Sequence, residues 1–208
     1  SINYQYSPWW ITADIGGTAN SWTCYDGFGR LARKARKLDD TRIAYDDTTL
    51  DALDRVSVQY LPYFSTDSTT RGYTHTAYDA VSRPLAVRNI VAGVVESETT
   101  YSYTKEAPFV KVTITSPTSD SSLGTVTRQE WYDSEGNLKR LIDAASVEYL
   151  YEYSALNQLT KITGNGQTRE FAYNNQGQLL WSKIPETKNL ATDYDYDHMG
   201  NQIGRTAP

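Results

Sequence analysis

Three groups of residues in this chain have types and spacings that chemistry could use. The run Asp193-Tyr194-Asp195-Tyr196-Asp197-His198 sets three carboxylates at alternate positions with an imidazole beyond them. Alternate residues of an extended strand share a face, and several carboxylate oxygens on one face could hold a hard cation such as calcium. The competing account is a solvated strand running into a turn, and no metal is assigned. Cys24 is the one thiol, and its possible partners in nucleophilic catalysis, His75 and His198, lie far along the chain. A thiol packed in a strand explains it more simply. Arg30, Arg33, Lys34, Arg36 and Lys37 form a basic cluster that a strand divides between its two faces. Asp39, Asp40, Asp46, Asp47, Asp51 and Asp54 follow at once, so local neutralisation is expected over an anion site. One cysteine and two histidines also put the common zinc-ligand sets out of reach. No catalytic residue, cofactor or metal site is therefore expected.

The aspartates have a cheaper role, because they recur with a period. Tyr25-Asp26-Gly27-Phe28-Gly29-Arg30-Leu31 returns as Leu50-Asp51-Ala52-Leu53-Asp54-Arg55-Val56, as Tyr78-Asp79-Ala80-Val81-Ser82-Arg83 and as Tyr132-Asp133-Ser134-Glu135-Gly136-Asn137-Leu138. Further copies begin at Tyr153, Tyr173 and Tyr196. The double gap between Tyr78 and Tyr132 predicts a decayed copy at Tyr103-Thr104-Lys105-Glu106-Ala107-Pro108-Phe109, and a weaker ninth candidate begins at Tyr6. Self-similarity at 20 to 30 residues is the mark of a repeat architecture.

Each copy reads as a tight turn between two strands. Its second residue is Asp26, Asp51, Asp79, Thr104, Asp133, Ser154, Asn174 or Asp197, whose short side chain accepts a hydrogen bond from the backbone two residues on. Its fifth is Gly29, Gly136, Gly177 or Gly200, or else Asp54 or Asn157, the types that best tolerate a left-handed backbone. Ser82 and Ala107 depart from that rule. A turn closed by a left-handed residue reverses the chain into a hairpin. An apolar residue then restarts the strand, at Leu31, Val56, Phe109, Leu138, Leu159 and Leu179, and one residue late at Leu85 and Ile203.

The strands carry the repeat aromatics Tyr25, Tyr78, Tyr103, Tyr132, Tyr153, Tyr173 and Tyr196, with Tyr101, Tyr151, Phe171 and Tyr194 two residues earlier on the same face. At the other end, Asp143-Ala144-Ala145-Ser146 and Gly164-Asn165-Gly166 join Leu138–Ile142 to Val147–Tyr153 and Leu159–Thr163 to Thr168–Tyr173. Trp9, Trp10 and Trp22 with Gly16-Gly17 read as a further strand, turn and strand. Helix is disfavoured throughout, with short helical turns tolerable only at Leu50–Asp54 and Ile90–Glu98. The fold class is all-β, antiparallel hairpin repeats over residues 1–208 with no domain boundary.

Composition agrees with a thin sheet. Of 208 residues 17 are tyrosine, and leaving Tyr out while counting Gly puts the apolar share at roughly 37%, below the ~45–50% of soluble domains. A net charge of −5 and a pI near 5.1 argue against a general nucleic-acid binder. No apolar run approaches a membrane span, and the first residues show no signal peptide. Charge on both strand faces suits a wall wetted on both sides. The tyrosine ladders read as cross-strand pairs that hold register; the alternative is a surface module whose exposed Tyr and Trp stack on glycans or a partner protein.

The pattern Y-D-x-x-G-R/N-L resembles the tyrosine–aspartate repeats of the rearrangement-hotspot (Rhs) family, found in bacterial polymorphic toxins, in the cocoon components of insecticidal toxin complexes and in teneurins. Leu61-Pro62-Tyr63-Phe64 and Leu141-Ile142-Asp143-Ala144-Ala145 strengthen the resemblance, which spans essentially the whole chain. It implies a sheet wound in a spiral, the wall of a shell around a toxin or effector cargo, exported or secreted. The family's core domain, self-cleavage motif and cargo have no counterpart before Ala207-Pro208, so a wall segment or short stand-alone relative is expected. Its partners would then be further shell repeats or other copies, joined through open sheet edges.

Overall fold

The computed structural model describes residues 2–7, 10–15, 21–39, 41–66, 71–118, 124–188 and 190–207, with the side chains of 2–7, 10–15 and Trp22 outside the description. Its elements are β1 (Ile2–Ser7), β2 (Trp10–Ile15), β3 (Ser21–Tyr25), β4 (Leu31–Lys37), β5 (Ile43–Leu50), β6 (Val56–Tyr60), β7 (Tyr63–Phe64), β8 (Gly72–Tyr78), β9 (Pro84–Val91) and β10 (Val94–Glu106). Then follow β11 (Phe109–Pro117), β12 (Thr125–Tyr132), β13 (Leu138–Ile142), β14 (Glu148–Tyr153), β15 (Leu159–Gly164), β16 (Gln167–Tyr173), β17 (Leu179–Lys183), β18 (Ala191–Tyr196) and β19 (Gln202–Thr206). The fold is all-β; among the described residues the one helical element is a 3-10 turn at Pro185–Thr187. The short helical turns tolerated at Leu50–Asp54 and Ile90–Glu98 do not form. The first is a hairpin turn, and in the second a tight reversal at Ala92-Gly93, both with positive φ, separates β9 from β10. Two such residues match the twist of the flanking strands, and that preference outweighs a single helical turn with no apolar face to bury.

The chain divides into two compact units, residues 1–101 with 116–124 and residues 102–115 with 125–208. In the first, β1 to β5 pair antiparallel in sequence order. Strand β5 then gives Thr48–Leu50 to β6 and Ala44–Tyr45 to β7, so β6 and β7 act as one strand interrupted at Leu61-Pro62. Proline lacks the N–H that a ladder needs, which is why the interruption falls there. Strand β6 pairs β8, β8 pairs β9, and β9 pairs the start of β10. In the second unit β12 to β19 form an uninterrupted antiparallel meander.

Little is sealed from solvent. Among the described residues the buried apolar side chains are Ala35, Tyr63, Ala86 and Trp131. Strand β14 shows the economy of such a sheet: Tyr149, Tyr151 and Tyr153 are half-buried, and Glu148, Leu150 and Glu152 between them are exposed. Gly164 faces Tyr149 across the ladder, and a Cβ there would come within 2.3 Å of the ring, so the ring lies directly on backbone. That contact fixes register as well as burying area, because no side chain fits between them.

Candidate functional site

The repeated element is a five-residue turn, and the bonds are the same in seven hairpins among the described residues. Asp26 shows the pattern. Its backbone N–H donates to the Arg30 carbonyl (2.8 Å), and the Gly29 N–H donates to the Asp26 carbonyl (2.9 Å). One carboxylate oxygen accepts the N–H groups of Phe28 (2.9 Å) and Arg30 (3.0 Å); the other accepts Arg30 Nε (2.6 Å). Three backbone donors and one side-chain donor in a solvent-facing loop are thus satisfied by one residue.

The same backbone bonds close the turns at Asp51, Asp79, Asp133, Ser154, Asn174 and Asp197. The fourth residue of each turn is left-handed, from Asn157 (φ 60), Asp54 (φ 62) and Ser82 (φ 67) to Gly29, Gly136, Gly177 and Gly200 (φ 88). Ser82, outside the rule read from the sequence, therefore takes the same conformation. Asp143 makes this turn too, with Ser146 left-handed (φ 64), at the opposite ends of the strands.

The Tyr103 copy is different. Strand β10 runs on through Thr104, Lys105 and Glu106, and the chain reverses at Ala107-Pro108, whose peptide is cis. Thr104 is a strand residue and Ala107 is not left-handed, because proline at the next position cannot supply the N–H that the five-residue turn requires.

Each of the seven turns is followed by a register shift. Tyr25 faces Leu31 while Cys24 faces Arg33; Tyr132 faces Leu138 while Trp131 faces Arg140; Tyr196 faces Gln202 while Asp195 faces Gly204. One residue is skipped in each case, as at Leu85 after Tyr78–Pro84 and at Ile203. The β-bulge is common to all seven, and in those two copies the late apolar residue is itself the one skipped. The repeat tyrosines Tyr25, Tyr78, Tyr103, Tyr132, Tyr153, Tyr173 and Tyr196 are all half-buried.

The closing residue of a turn, its fifth, also reaches the next turn along the chain. Arg30 Nη1 donates to the Asp51 carbonyl (3.3 Å) and pairs with the Asp54 carboxylate. Arg55 Nη1 donates to the Asp79 carbonyl (2.9 Å) and Ser82 Oγ (3.3 Å), while its guanidinium lies 4.7 Å from the Tyr78 ring centre. Asn137 Nδ2 donates to Asn157 Oδ1 (3.2 Å). A Cβ on Gly177 would stand 3.5 Å from Gln158 Nε2, and one on Gly200 3.2 Å from Gln178 Nε2. In these cases the approach runs from the closing residue of one turn to the left-handed residue of the next. Sequence reasoning saw Arg or Asn at this position but not its reach; the recurrence of a long donor after the left-handed residue was the available signal.

Electrostatics follow the bonds. Arg30's side-chain bond holds the Asp26 carboxyl below the ordinary carboxylate value, Arg55's does so for Asp51, and Asn201's for Asp197. The Arg83 backbone N–H leads the same effect at Asp79. At Asp133 partial burial pulls upward and is outweighed by the backbone and side-chain bonds from Asn137.

Two ring clusters lie between the turns. In the first unit Arg33 grips Asp47 with both nitrogens (2.6 and 2.7 Å), Tyr63 donates its hydroxyl to the same carboxylate (2.6 Å), and Arg71 lies 4.0 Å from the Tyr63 ring centre. Burial raises Asp47, but the bonds from Arg33 and Tyr63 win and hold it low. In the second unit the Trp131 indole donates to Glu106 (2.8 Å) beneath Arg140, 4.3 Å from the ring centre. Burial, with the hydrogen bond to Glu130, pushes the Tyr132 hydroxyl up to about 12.

The chemical candidates are not assembled into sites. Asp197 is spent on its turn, Asp193 and Asp195 are exposed, and among the described residues no three His, Cys, Asp or Glu group to hold a metal. Burial pushes the Cys24 thiol up, with Arg33 opposing weakly. The described tyrosines and tryptophans are half-buried or buried, and nothing among them supports a glycan site. Trp9 and the side chains of Trp10, Trp22 and Tyr6 lie outside the described residues. Nor does any described helix have the length and apolarity to cross a membrane.

Residues 132–164, which hold the turns at Asp133, Asp143 and Ser154, match the family model of the RHS repeat. This stretch carries an RHS repeat. No curated protein matches it. Among solved structures it is similar to the crystal structure of TcdB2-TccC3, at 12% identity and a TM-score of 0.36, covering 98% of this chain and 16% of that one. The Photorhabdus luminescens Tc holotoxin pore is similar at 12% identity and a TM-score of 0.23, covering 99% of this chain and 17% of that one. The chain spans about a sixth of the length of these structures.

Proposed function

We propose that this chain is a structural module, a stretch of RHS-repeat wall in a shell that encloses a toxin or effector cargo in an exported or secreted protein. The observation that carries the reading is the clasped row of turns: each hairpin satisfies its own reversal, and Arg30, Arg55 and Asn137 go on to hold the next one. A repeat so built grows by nearest-neighbour contact, as a wall must. The scarcity of buried apolar residues fits a sheet wet on both faces, and the aspartates are occupied as turn acceptors rather than free for acid–base work. The wall is joined at its strand edges to further repeats or to other copies, since an open edge offers unpaired backbone groups.

The test is protection. A polypeptide carrying these repeats together with the cargo encoded in the same reading frame should hide that cargo from protease, and replacing Asp26, Asp51 and Asp79 by Ala should expose it. Cargo cleaved equally fast with and without the repeats rules the shell out. Turnover of a substrate lost on replacing Asp26, Asp133 or Asp197 while the fold stays intact would show an enzyme instead.

A further inference from the structure

The basic cluster of the first unit is split by the pleat, and its two halves meet different fates. Arg30 and Arg33 are paired with Asp26, Asp54 and Asp47. Lys34 and Arg36 lie two apart on β4, both exposed, and neither is held by a carboxylate, whereas Arg42, Arg55, Arg83 and Arg88 in the same unit each are. The reason lies next door. Asp46 is directly across from Lys34, but its carboxylate accepts Gln59 Nε2 at 2.6 Å and turns towards β6.

The positions around the two cations are small and hydroxylated. Thr23 faces Lys34 and Ser21 faces Arg36 from β3, and Ala44 faces Arg36 from β5. With Asp46, these side chains line a depression of about 360 Å³ on the sheet. Two cations stand against the one carboxylate of Asp46, which Gln59 already engages, so the recess keeps a net positive charge over short hydroxyl-bearing neighbours and suits an anion.

We propose that this recess binds an extended acidic peptide segment with carboxylates at alternate positions. Residues two apart on a strand are separated by about 6.8 Å. An extended peptide presents its alternate side chains at the same spacing, so each carboxylate meets one cation, the first beside Thr23 and the second beside Ser21. A single small anion satisfies only one of the two. The ligand's side chains lie on the sheet face, so its backbone is not required to pair with an edge. The proposal is independent of the shell reading; it needs only the face of β3, β4 and β5.

The test is titration of the whole chain with the peptide Ac-Gly-Asp-Gly-Asp-Gly-amide, followed by amide chemical shifts, with the Asn-for-Asp peptide and inorganic phosphate as separate arms. Saturable shifts at Ser21, Thr23, Lys34 and Arg36 are expected, reduced about tenfold in affinity by Lys34→Gln with Arg36→Gln, and abolished near 1 M salt, where charges are screened beyond ~3 Å. Ala44→Glu, which adds a second carboxylate beside Asp46 and cancels the net positive charge of the recess, should block binding with both cations still present. Shifts that do not saturate, that survive these substitutions, or that the Asn peptide reproduces would overturn the proposal. So would phosphate matching the peptide in affinity, which would reduce the site to a one-point anion contact.

Discussion

The two units build the same turn from different side chains. In the first the partners are ionic: Asp26 with Arg30, Asp51 with Arg55 and Asp79 with Arg83. In the second they are neutral on one side or both: Asp133 with Asn137, Ser154 with Gln158, Asn174 with Gln178 and Asp197 with Asn201. The backbone bonds hardly change. The turn therefore needs a short acceptor at its first residue and a donor at its fifth, and charge is an addition. The same contrast recurs between turns, where the first unit joins Arg30 to Asp54 and the second joins Asn137 to Asn157.

The sharpest way to separate the units is through their buried rings. Trp131→Ala should cost about 3 kcal/mol, the usual scale for a buried large aromatic, and hydrogen exchange should quicken in β12, β13 and β14 while β3 to β6 keep their protection. Equal loss in both would show that the units unfold as one.

Acid is the next lever. A carboxyl held below its ordinary value gives stability that is full above that value and lost as pH falls through the lowered one. From pH 3.8 downward the turn amides of Phe28, Leu53 and Val81 should lose protection before those of Leu156 and Gln176, because Ser154 and Asn174 have no proton to gain. Simultaneous loss would mean that the ionic partners do not set the acid response. At the alkaline end, raising pH from 10 towards 12 should weaken the second unit as Tyr132 ionises, an effect that Tyr132→Phe removes.

A smaller effect tests the clasp itself. Gly200→Ala should cost about 1 kcal/mol, from a left-handed φ of 88 and from the Gln178 amide 3.2 Å from the new Cβ. Gln178→Ala in the same chain should recover part of that loss; no recovery would mean that the amide gives way freely. Smallest of all, raising salt towards ~1 M should loosen Arg30 from Asp54 and leave Asn137 on Asn157 unchanged, read as exchange at the adjoining turns.

Much of this was legible in the sequence. Asp26, Asp51, Asp79, Asp133 and Asp197 announce their turns because an Asx acceptor acts on backbone two and four residues away, and so do Gly29, Gly136, Gly177 and Gly200 through a conformation that few other residues take. Asp54 and Asn157 follow the same local rule. The Thr104 copy misled because Pro108 falls at the fifth turn position, where an N–H is needed, and so forbids the turn, a veto that pattern alone does not weigh. The bulges after Tyr78 and Tyr196 left only the late Leu85 and Ile203 as their trace.

What the sequence determined alone was whatever acts within about five residues: the turns, the alternation of tyrosine with charge, and hence an all-β repeat. What the tertiary structure decided was every partnership across strands. Arg30 lies 24 residues from Asp54, Trp131 lies 25 from Glu106, and Asp46 takes Gln59 rather than the lysine opposite it. Those choices depend on register and on which neighbour competes for each donor, and register is fixed only when the strands have met.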